Sequence, residues 1–578
     1  MMASRYLRAR AIVISARLAF AGLALCSAAL TRGAEQPALE AAQQRYAEIV
    51  ARELERGIVP GVSVAWVVDG RTVHAAGFGL ADKERGVAAT ADTIYRAGSI
   101  SKLFNAVAAM QLVEQGQLDL DAPIERALPE FHIVVPFADA GPITARQLLC
   151  HRSGMIRESP VGGYLDNRQP NVQATIASVA DCALVNLPNT KTRYSNVGPT
   201  IVGRAVEVQS NNPYPEYQAQ RILGPLGMAS SAWLMNDALR PRLAKGLMRI
   251  AQGDGTYAFD AAPEFELGTI PAGNLYTTAP DLARFAAFVM DPAPQQESSP
   301  AIISRESLAK MLEVQLTGEP NGFGLGFGVN RYRGHKTAQH MGAVYGFTTS
   351  IVVLPKERIA AIVLSNADIA VAPVRRLSEA ALDLLLEATQ GEPLPAAPQP
   401  SAVSAAALAA CAGDYESPGY WASLKVVDGA LVGTYSGQPI ELMPQGGDKF
   451  LASGRMMHHT PFEFTRDNAG QIVGFTAAGQ TFRRAAATDA ADLPPEHWQK
   501  LAGRYGLPFI PLVVSVRHGH LYALAENEYD YRLTPVNRLT FALPQGMYED
   551  EELVFQTAAD GNVLGVVMAN MYLPRRAD

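Results

Sequence analysis

Three short polar motifs constrain the fold of this 578-residue chain more than any other feature. They are Ser99-Ile-Ser-Lys102, Tyr194-Ser-Asn196 and His340-Met-Gly342, and domain-scale stretches of sequence separate them. The second and third patterns each occur once in the chain. We therefore expect one folded unit that spans all three motifs and brings them together in one pocket.

The first motif combines a hydroxyl with an amine that can activate it. A serine hydroxyl is a weak nucleophile unless a proton acceptor lies within hydrogen-bond reach. Residues three apart on a helix share a face, so Lys102 can reach Ser99 if a helix begins there. Residues 103–115 are mostly apolar and lack Gly and Pro, which predicts a buried central helix that ends at Gly116.

The other two motifs supply the remaining groups of such a site. Burial and nearby positive charge change the pKa of a phenol or an amine, so Tyr194 is a second candidate base, and the amide of Asn196 can orient a side chain or a substrate carbonyl. We expect residues 340–343 at a strand edge, where Gly342 lets a substrate backbone approach closely. The backbone N–H groups of Ser99 and Ala343 would then form an oxyanion hole.

Each motif alone also has an ordinary structural interpretation. Ser307-Leu-Ala-Lys310 repeats the first pattern after a helix-capping serine, and we interpret Ser307 as a plain helical surface residue. By themselves, Ser99 could be a helix start, Tyr194 a buried structural tyrosine and His340 a core or edge-strand histidine. The conjunction of the three motifs favours the catalytic interpretation.

With these motifs the chain resembles the class C β-lactamases and the wider superfamily of penicillin-recognising serine hydrolases, which includes D-stereospecific peptidases and esterases. The resemblance covers about residues 40–390 and extends to Tyr95-Arg-Ala-Gly-Ser-Ile-Ser-Lys102, Leu148-Leu-Cys-His-Arg-Ser-Gly154, Pro271-Ala-Gly-Asn-Leu-Tyr-Thr-Thr-Ala-Pro-Asp-Leu282 and Gly346-Phe347. It implies that Ser99 forms an acyl-enzyme, that Lys102 and Tyr194 share acid/base duty and that Asn196 positions groups near the acyl bond. Whether Lys102 or Tyr194 is the acylation base stays open.

One departure from the family pattern bears on the substrate. Many β-lactamases and penicillin-binding enzymes carry Lys-Thr-Gly where this chain has His340-Met-Gly342. The fixed positive charge that meets a β-lactam or terminal carboxylate is therefore missing, and we do not expect potent β-lactamase activity. Histidine at this position is common among the family's esterases and peptidases, which implies an ester, amide or peptide substrate.

Composition and the N-terminus narrow the function classes further. A formal net charge of −7 and the lack of a basic run give no reason to expect a nucleic-acid partner. Four arginines precede an apolar stretch over residues 18–30 that is short for a membrane span, so residues 1–34 are predicted to be a signal peptide and the protein to be periplasmic or secreted. Leu25 before Cys26 does not fit a lipoprotein signal, and no later stretch predicts a membrane span.

Cysteine and histidine usage indicate neither a disulfide scaffold nor a metal site. Three cysteines remain after the signal peptide, which is few for a chain of this size, although a bond between Cys150 and Cys182 can form in an oxidising compartment. His458-His459 and His518-Gly-His520 lack further ligands at metal-binding spacing. No Gly-rich phosphate loop follows a strand, so we expect neither a metal nor a nucleotide cofactor.

The chain is long enough for several domains. Residues 35–390 begin and end with strand patterns around a helical middle, which predicts an α+β fold: an antiparallel sheet flanked by helices with a helical subdomain. A Pro-rich linker over residues 391–404 follows. Ala412-Gly-Asp-Tyr415 recurs as Ala502-Gly-Arg-Tyr505, one of several matches at a period of about 90 residues. We predict two homologous small antiparallel β-barrels, over residues 405–487 and 493–578.

The leading hypothesis is an exported serine hydrolase that cleaves amide or peptide bonds in a small-molecule or peptide substrate, with linear or D-amino-acid-containing peptides as candidates. An esterase with the same site is the alternative, and a non-catalytic scaffold on the same fold is the second alternative. The layout of one hydrolase unit and two barrels resembles that of D-aminopeptidases. Glu526-Asn-Glu-Tyr-Asp-Tyr531 is a candidate loop for holding a substrate ammonium group, and a solvated turn is its alternative interpretation.

Overall fold

The structure is a computed structural model of the 578-residue chain, and it describes residues 36–252, 257–292, 301–315, 319–485 and 495–577. The predicted signal peptide, with Cys26, lies outside the described residues. In the part of the chain that is described, no helix combines the length and apolar character needed to cross a membrane.

The strands of the first unit are dominated by one antiparallel sheet. The described strands of this unit are β1 (Gly61–Val68), β2 (Arg71–Asp82), β3 (Val87–Ala88), β4 (Tyr95–Arg96), β5 (Leu247–Ala251), β6 (Tyr257–Ala261), β7 (Tyr276–Thr277), β8 (Gly322–Phe323), β9 (Gly328–Tyr332), β10 (His335–Val344), β11 (Phe347–Leu354) and β12 (Ile359–Ser365). Eight of them form the main sheet in the order β3-β2-β1-β12-β11-β10-β9-β8, while β4 pairs with β7 and β5 with β6. Because β1 pairs with β12, the two ends of the unit meet at the centre of the sheet.

Helices cover both faces of this sheet. They are α1 (36–55), α2 (Ser101–Glu114), α3 (Ala145–Leu149), α4 (Val172–Ala177), α5 (Val197–Ser210), α6 (Tyr214–Gln218), α7 (Ile270–Gly273), α8 (Ala279–Met290), α9 (Arg305–Met311) and α10 (Val371–Gln390). Helices α1 and α10 pack on one face, and α8 packs on the other with the helical subdomain that contains α2 and α5. The predicted α+β architecture is therefore confirmed.

The sequence of β1 shows how the sheet serves both cores. Val64 and Trp66 point into the core under α1 and α10, whereas Ala65 and Val67 point into the larger core on the other face. A strand buried on both faces needs an apolar run, which β1 has except at Ser63, whose hydroxyl donates to Thr90 O at 2.6 Å. Asp69 and Gly70 form the tight turn to β2 with φ angles of 49° and 74°, as the predicted Asp-Gly hairpin requires.

Helix α2 runs through the centre of the first unit. It begins two residues after Ser99 and is buried along its length up to Leu112, because α5 and α7 pack against it and Phe104 stacks on Phe285 of α8. Gly116 adopts a φ of 70° just after the helix, which matches the predicted stop. The nucleophile motif is thus fixed to the most enclosed helix of the unit.

The first C-terminal unit is a closed barrel of eight strands in sequential antiparallel order. Helix α11 (Ala405–Cys411) precedes β13 (Gly413–Glu416), β14 (Trp421–Val427), β15 (Ala430–Tyr435), β16 (Gln438–Gly446), β17 (Lys449–Gly454), β18 (Thr460–Arg466), β19 (Ile472–Ala477) and β20 (Gln480–Arg484). Pairing of β13 with β20 closes the barrel. Closure leaves no free strand edge, and the aromatic side chains of alternate positions fill the interior.

The second C-terminal unit has the same strand order but departs from a single closed barrel. After helix α12 (Glu496–Leu501) it contains β21 (Gly503–Tyr505), β22 (Leu512–Arg517), β23 (His520–Leu524), β24 (Asp530–Arg532), β25 (Thr534–Pro535), β26 (Thr540–Ala542), β27 (Glu552–Thr557), β28 (Val563–Met568) and β29 (Met571–Pro574). These strands form a four-stranded and a five-stranded sheet. The break falls at Leu533, between β24 and β25, where the first barrel has the continuous strand β16.

The two sheets of the second unit still meet at both seams. Leu533 donates its N–H to Leu521 O at 2.9 Å beside the break. At the other seam, Gly506 N donates to Pro574 O and Arg576 N donates to Arg504 O, each at 2.9 Å. The ladder is therefore interrupted rather than open, because the fourth strand is broken only at Leu533.

The linker has no regular secondary structure, and the three described cysteines are unbonded. Residues 391–404 form neither helix nor strand, and Gly391 ends α10 with a φ of 70°. Cys150, Cys182 and Cys411 are buried free thiols, so the bond between the first two, which the sequence left open, is not formed.

Candidate active site

The nucleophile motif lies where a short 3-10 turn, Gly98–Ile100, leads into α2. Gly98 has a φ of 54°, and a methyl group on it would lie 2.9 Å from Ala343 N, so the turn is pressed against the end of β10. One helical turn beyond Ser99, Lys102 Nζ lies 2.9 Å from Ser99 Oγ. The spacing of the motif thus produces the contact predicted from it.

Lys102 is held in a buried polar cage. Its ammonium nitrogen lies 2.7 Å from Asn196 Oδ1 and 2.8 Å from Ala272 O, in addition to Ser99 Oγ. Burial lowers the pKa of Lys102 well below its ordinary value, Arg157 lowers it further, and Glu158 opposes both. A neutral Lys102 can donate to the amide and carbonyl oxygens and present its lone pair to Ser99.

Tyr194 and Asn196 reach the site from the start of α5. The Tyr194 phenol hydrogen-bonds to Ser99, and its ring centroid lies 4.9 Å from Lys102 Nζ. Burial raises the pKa of Tyr194, against the lowering effects of the Ser99 hydrogen bond and of Arg157, so the phenol is protonated at neutral pH. Ser99 Oγ therefore has an amine and a phenol as proton-transfer partners.

The third motif lies on the open end of β10. Pairing of β10 with β9 stops at Gln339, so residues 340–344 pair only with β11 and leave one edge free toward the site. His340 Nδ1 lies 2.5 Å from Met341 O, which places its proton on Nδ1. Burial and then Lys102 lower the pKa of His340 to about 4, so the imidazole is neutral at pH 7. A fixed positive charge is absent from this position, as the sequence predicts.

Gly342 is needed for a different reason from the predicted one. A methyl group on Gly342 would lie 1.9 Å from Ala97 O and 2.5 Å from Thr349 Oγ1. The glycine therefore admits the chain's own backbone beside the nucleophile turn, rather than a substrate backbone. Together with Gly98 it keeps Ser99 and Ala343 adjacent, which is the arrangement that an oxyanion hole of their N–H groups needs.

The second Ser-x-x-Lys pattern is structural. Ser307 is in α9, but it is buried rather than on the surface, and its hydroxyl donates to Glu114 Oε1 at 2.5 Å. Lys310 pairs with Glu306 at 2.9 Å instead of reaching Ser307. Among the described residues, no cluster of three or more histidine, cysteine or acidic side chains could bind a metal ion.

Sequence reasoning missed several site residues in and after the segment Leu148–Gly154. The amide nitrogen of Asn196 donates to Glu158, and Tyr164 N donates to the same carboxyl group at 3.0 Å. Burial raises the pKa of Glu158 to about 7, although Arg157 lowers it. His151 packs against Tyr194 with ring centroids 4.4 Å apart and ring planes tilted by 32°. The family-like segment before them was the available sequence signal, but it assigned no role to residues 157 and 158.

The catalytic groups open into a cavity of about 500 Å³ that two units of the chain enclose. From the first unit, its lining includes Ser99, Tyr194 and the end of β10. From the second C-terminal unit, it includes Glu526, Glu528, Met547 and Glu549. The candidate loop over residues 526–531 is therefore not a solvated turn, because its first part borders the cavity and Asn527 is fully buried.

All the residues predicted for the site come together, and they lie within a part of the chain that matches a known family. Residues 46–386 match the Beta-lactamase family. Penicillin-binding protein 4 of Amycolatopsis lactamdurans is 29% identical over 373 residues, which cover 62% of this chain and 94% of that protein.

Two solved structures show the same fold. The octameric penicillin-binding protein homologue from Pyrococcus abyssi aligns with a TM-score of 0.54 and 24% identity over 76% of this chain and 99% of that one. The D-amino acid amidase from Ochrobactrum anthropi SV3 aligns with a TM-score of 0.50 and 24% identity over 61% of this chain and 99% of that one. The family match covers more than half of the chain and contains the three motifs, so the chain belongs to the Beta-lactamase family of serine hydrolases.

Proposed function

We propose that this protein hydrolyses amide or peptide bonds through an acyl-Ser99 intermediate. The observation that carries the proposal is the position of Ser99 Oγ, which lies 2.9 Å from Nζ of the buried Lys102 and hydrogen-bonds to the Tyr194 phenol. A serine hydroxyl between two proton-transfer groups is activated for attack on a carbonyl carbon.

Lys102 is the better acylation base of the two candidates. Burial lowers the pKa of Lys102 and raises that of Tyr194, so the amine loses its proton at a lower pH than the phenol and is the better proton acceptor of the two. In the proposed first step, Ser99 Oγ bonds to the carbonyl carbon while its proton passes to Lys102. The N–H groups of Ser99 and Ala343 stabilise the oxyanion that forms.

Tyr194 then acts as the general acid. The tetrahedral intermediate expels the amine as the leaving nitrogen takes the phenol proton, and the Lys102 ammonium returns a proton to the phenolate. Water next attacks the acyl-Ser99 carbonyl and gives up a proton to Lys102 and Tyr194, which act together as the base. Ser99 Oγ then leaves with a proton. The net reaction adds one water and releases an acid and an amine.

The charges around the cavity favour a substrate that carries an amine. Its three lining cations are each paired with carboxylates of the second C-terminal unit: Lys191 with Glu549, Arg193 with Glu551 and Arg157 with Glu526. Glu528 also lines the cavity and has no ion pair among the residues that the structure describes. With a neutral His340, this leaves a free carboxyl group for a substrate ammonium and no free cation for a substrate carboxylate.

An esterase that uses the same residues is the second candidate. Met341, Ile369 and Val371 give the cavity an apolar portion that suits an uncharged acyl group. An alkoxide leaves more readily than an amine and depends less on the proton from Tyr194. The two functions therefore differ in their dependence on the general acid rather than in the nucleophile.

Covalent labelling of Ser99 tests the proposal. We expect a fluorophosphonate probe to add its mass to the peptide that contains Ser99, and this labelling to be lost in Ser99→Ala. Ser307→Ala is the matched control, because it removes the serine of the other Ser-x-x-Lys pattern, and it should label like the natural chain. Failure of the natural chain to label would overturn the proposal and favour a non-catalytic scaffold.

A substrate panel then separates the two candidates. We would compare p-nitroanilides with p-nitrophenyl esters of L- and D-amino acids, each with a free and a blocked amino group. Turnover of the anilides supports the peptidase or amidase, whereas turnover of the esters alone supports the esterase.

A further inference from the structure

We infer that Arg157, clamped by Glu526 and Tyr548, is a positioning residue for Tyr194 and Lys102, and that the second C-terminal unit is thereby part of the catalytic centre. This inference rests on the proposed function, because it assigns a role in activating Ser99. It adds a charge to the site that none of the three sequence motifs contains.

The clamp is made of short contacts across the boundary between two units. Arg157 Nη2 lies 3.1 Å from Glu526 Oε2, and Nε lies 3.4 Å from Glu526 Oε1. The two side chains are only 11% and 4% exposed, so water does little to screen the pair. Tyr548 donates its hydroxyl hydrogen to Glu526 and holds the carboxylate from the other side.

The guanidinium is placed between two aromatic rings. Its carbon lies 5.6 Å from the ring centroid of Tyr194 and 5.4 Å from that of Tyr548. These distances suit cation–π contacts, which need the charge within about 6 Å of a ring centroid. Arg157 N also donates to Glu551 Oε1 at 3.2 Å, so the second unit holds the backbone of this residue as well as its side chain.

Arg157 acts within a defined set of charges around the bases. Tyr194 is faced by Lys102 from α2, by His151, by Arg157 and Glu158 from the segment after it, by His340 from β10 and by Glu526 from the second unit. Burial opposes the charge of Arg157, but Glu526, Tyr548 and Glu158 together raise its pKa well above the ordinary value. The guanidinium is therefore a permanent positive charge in a buried site.

The consequence for the reaction follows from the sign of that charge. A positive charge disfavours the ammonium form of Lys102, and Arg157 lowers the pKa of Lys102 in addition to burial. Lys102 accepts the Ser99 proton only when it is neutral, so labelling of Ser99 rises as the pH passes upward through the pKa of Lys102. Removing the charge raises that pKa and moves the rise to higher pH.

The test is the pH profile of Ser99 labelling by a fluorophosphonate probe. We expect Arg157→Gln to move the midpoint of the rise upward by roughly half to one pH unit, which is the effect of one nearby charge in a partly polar site. Arg157→Lys keeps the charge, so its midpoint should stay close to that of the natural chain. Glu526→Gln should also move the midpoint upward, because an unpaired buried guanidinium swings toward water and away from Tyr194.

A matched control separates this role from general destabilisation. Arg376 of α10 is also mostly buried and pairs with Glu53 of α1 at 2.6 Å, on the face of the sheet opposite α2. Arg376→Gln removes a comparable buried pair and should lower the unfolding temperature without moving the midpoint.

Each outcome bears on a separate claim. If the natural chain labels but the midpoint stays fixed in both Arg157→Gln and Glu526→Gln, the inference is overturned and the proposed function stands. A midpoint that moves in Arg157→Gln alone overturns the positioning role of the second unit. Without any labelling of Ser99 in the natural chain, the proposed function fails and this inference falls with it.

Discussion

At the scale of single residues, local spacing predicted the nucleophile and its partner, but not what tunes them. Ser99 and Lys102 lie three residues apart on a helix start, so their contact follows from helix geometry alone. Lys102 also contacts Ala272 O, a backbone atom 170 residues away, and the alanine side chain does not indicate this role. Backbone carbonyls carry no sequence signal, and for that reason the cage around Lys102 could not be predicted.

Gly342 supports a prediction at the same scale. We expect Gly342→Ala to reduce the rate of Ser99 labelling roughly 10²- to 10³-fold, the usual effect of losing an oxyanion donor. The added methyl group would meet Ala97 O at 1.9 Å, so β10 must move away from the nucleophile turn and carry Ala343 N with it. Labelling rates measured on folded protein, with thermal unfolding monitored in parallel, would check this.

Gly141 provides the control for that substitution. A methyl group on Gly141 meets nothing within 4 Å, so Gly141→Ala should label at the natural rate. Equal rates for Gly342→Ala and Gly141→Ala would show that the close approach of Gly342 to Ala97 has no effect on the site.

At the scale of elements, the sequence repeat predicted which strands of the two C-terminal units correspond. It did not predict whether each unit closes into a single barrel. Tyr415 donates to Cys411 O at 2.9 Å in the first barrel, and Tyr505 donates to Leu501 O at 2.6 Å in the second unit. These partners share the 90-residue offset of the repeated Ala-Gly-x-Tyr sequence. Closure depends instead on whether the fourth strand is continuous, and the interruption at Leu533 has no distinct signature in a sequence pattern of alternate apolar residues.

An arginine at the end of each unit repeats the same helix contact. Arg484 donates to Ala410 O at 2.7 Å and to Ala412 O at 2.9 Å, and Arg575 donates to Lys500 O at 2.7 Å and to Ala502 O at 2.9 Å. These bonds satisfy carbonyl groups at the end of a short helix and tie it to the last strand. In both units, therefore, an arginine on or just after the last strand hydrogen-bonds to carbonyl groups at the end of the first helix.

We expect loss of these arginine contacts to separate the roles of the two units. Arg575→Met should lower the free energy of unfolding of its own unit by about 1–2 kcal/mol, the usual net effect of one or two hydrogen bonds. Arg484→Met should lower that of the first barrel by more, because Arg484 also donates to Ile472 O and to the Tyr415 hydroxyl. Only Arg575→Met should also slow Ser99 labelling, because the second unit carries Glu526 and Tyr548. Hydrogen exchange of the two units measures the first effect, and Ser99 labelling rates measure the second. Arg483→Met, at the position next to Arg484, is the control. If Arg484→Met slowed labelling and Arg575→Met left the labelling rate unchanged, this division of roles would be contradicted.

At the scale of the whole molecule, the order of the units was predictable and their mutual contacts were not. Apolar periodicity and the Pro-rich linker mark where units begin and end. The pairs that join the second C-terminal unit to the active site connect residues far apart in sequence, such as Arg157 and Glu526 at a separation of 369. Neither member of such a pair has a local pattern that identifies the other, so the cluster of acids in residues 526–531 suggested a role without locating it.

The assembled cavity makes a prediction about substrate choice that depends on pH. Burial and then Glu526 raise the pKa of Glu528 to about 7, so its carboxylate is charged only above that pH. A substrate ammonium binds the charged form, and we therefore expect preference for free over blocked amino groups to be strong at pH 8 and to fade as the pH falls through about 7. Glu528→Gln should reduce that preference at least about tenfold, since one buried charge pair is worth more than about 1.4 kcal/mol.

Glu549 distinguishes this effect from the general acidity of the cavity. It lines the same cavity but is paired with Lys191 at 3.2 Å, so Glu549→Gln removes a carboxylate without removing the unpaired one. The ratio of kcat/KM for free and N-acetylated p-nitroanilides, measured from pH 6 to pH 8, compares the two variants directly. Loss of the preference in Glu549→Gln but not in Glu528→Gln would mean that the overall negative potential selects the amine. If Glu528 alone carries the preference, the second C-terminal unit contributes to substrate choice as well as to the activation of Ser99, since both Glu526 and Glu528 come from one loop of that unit.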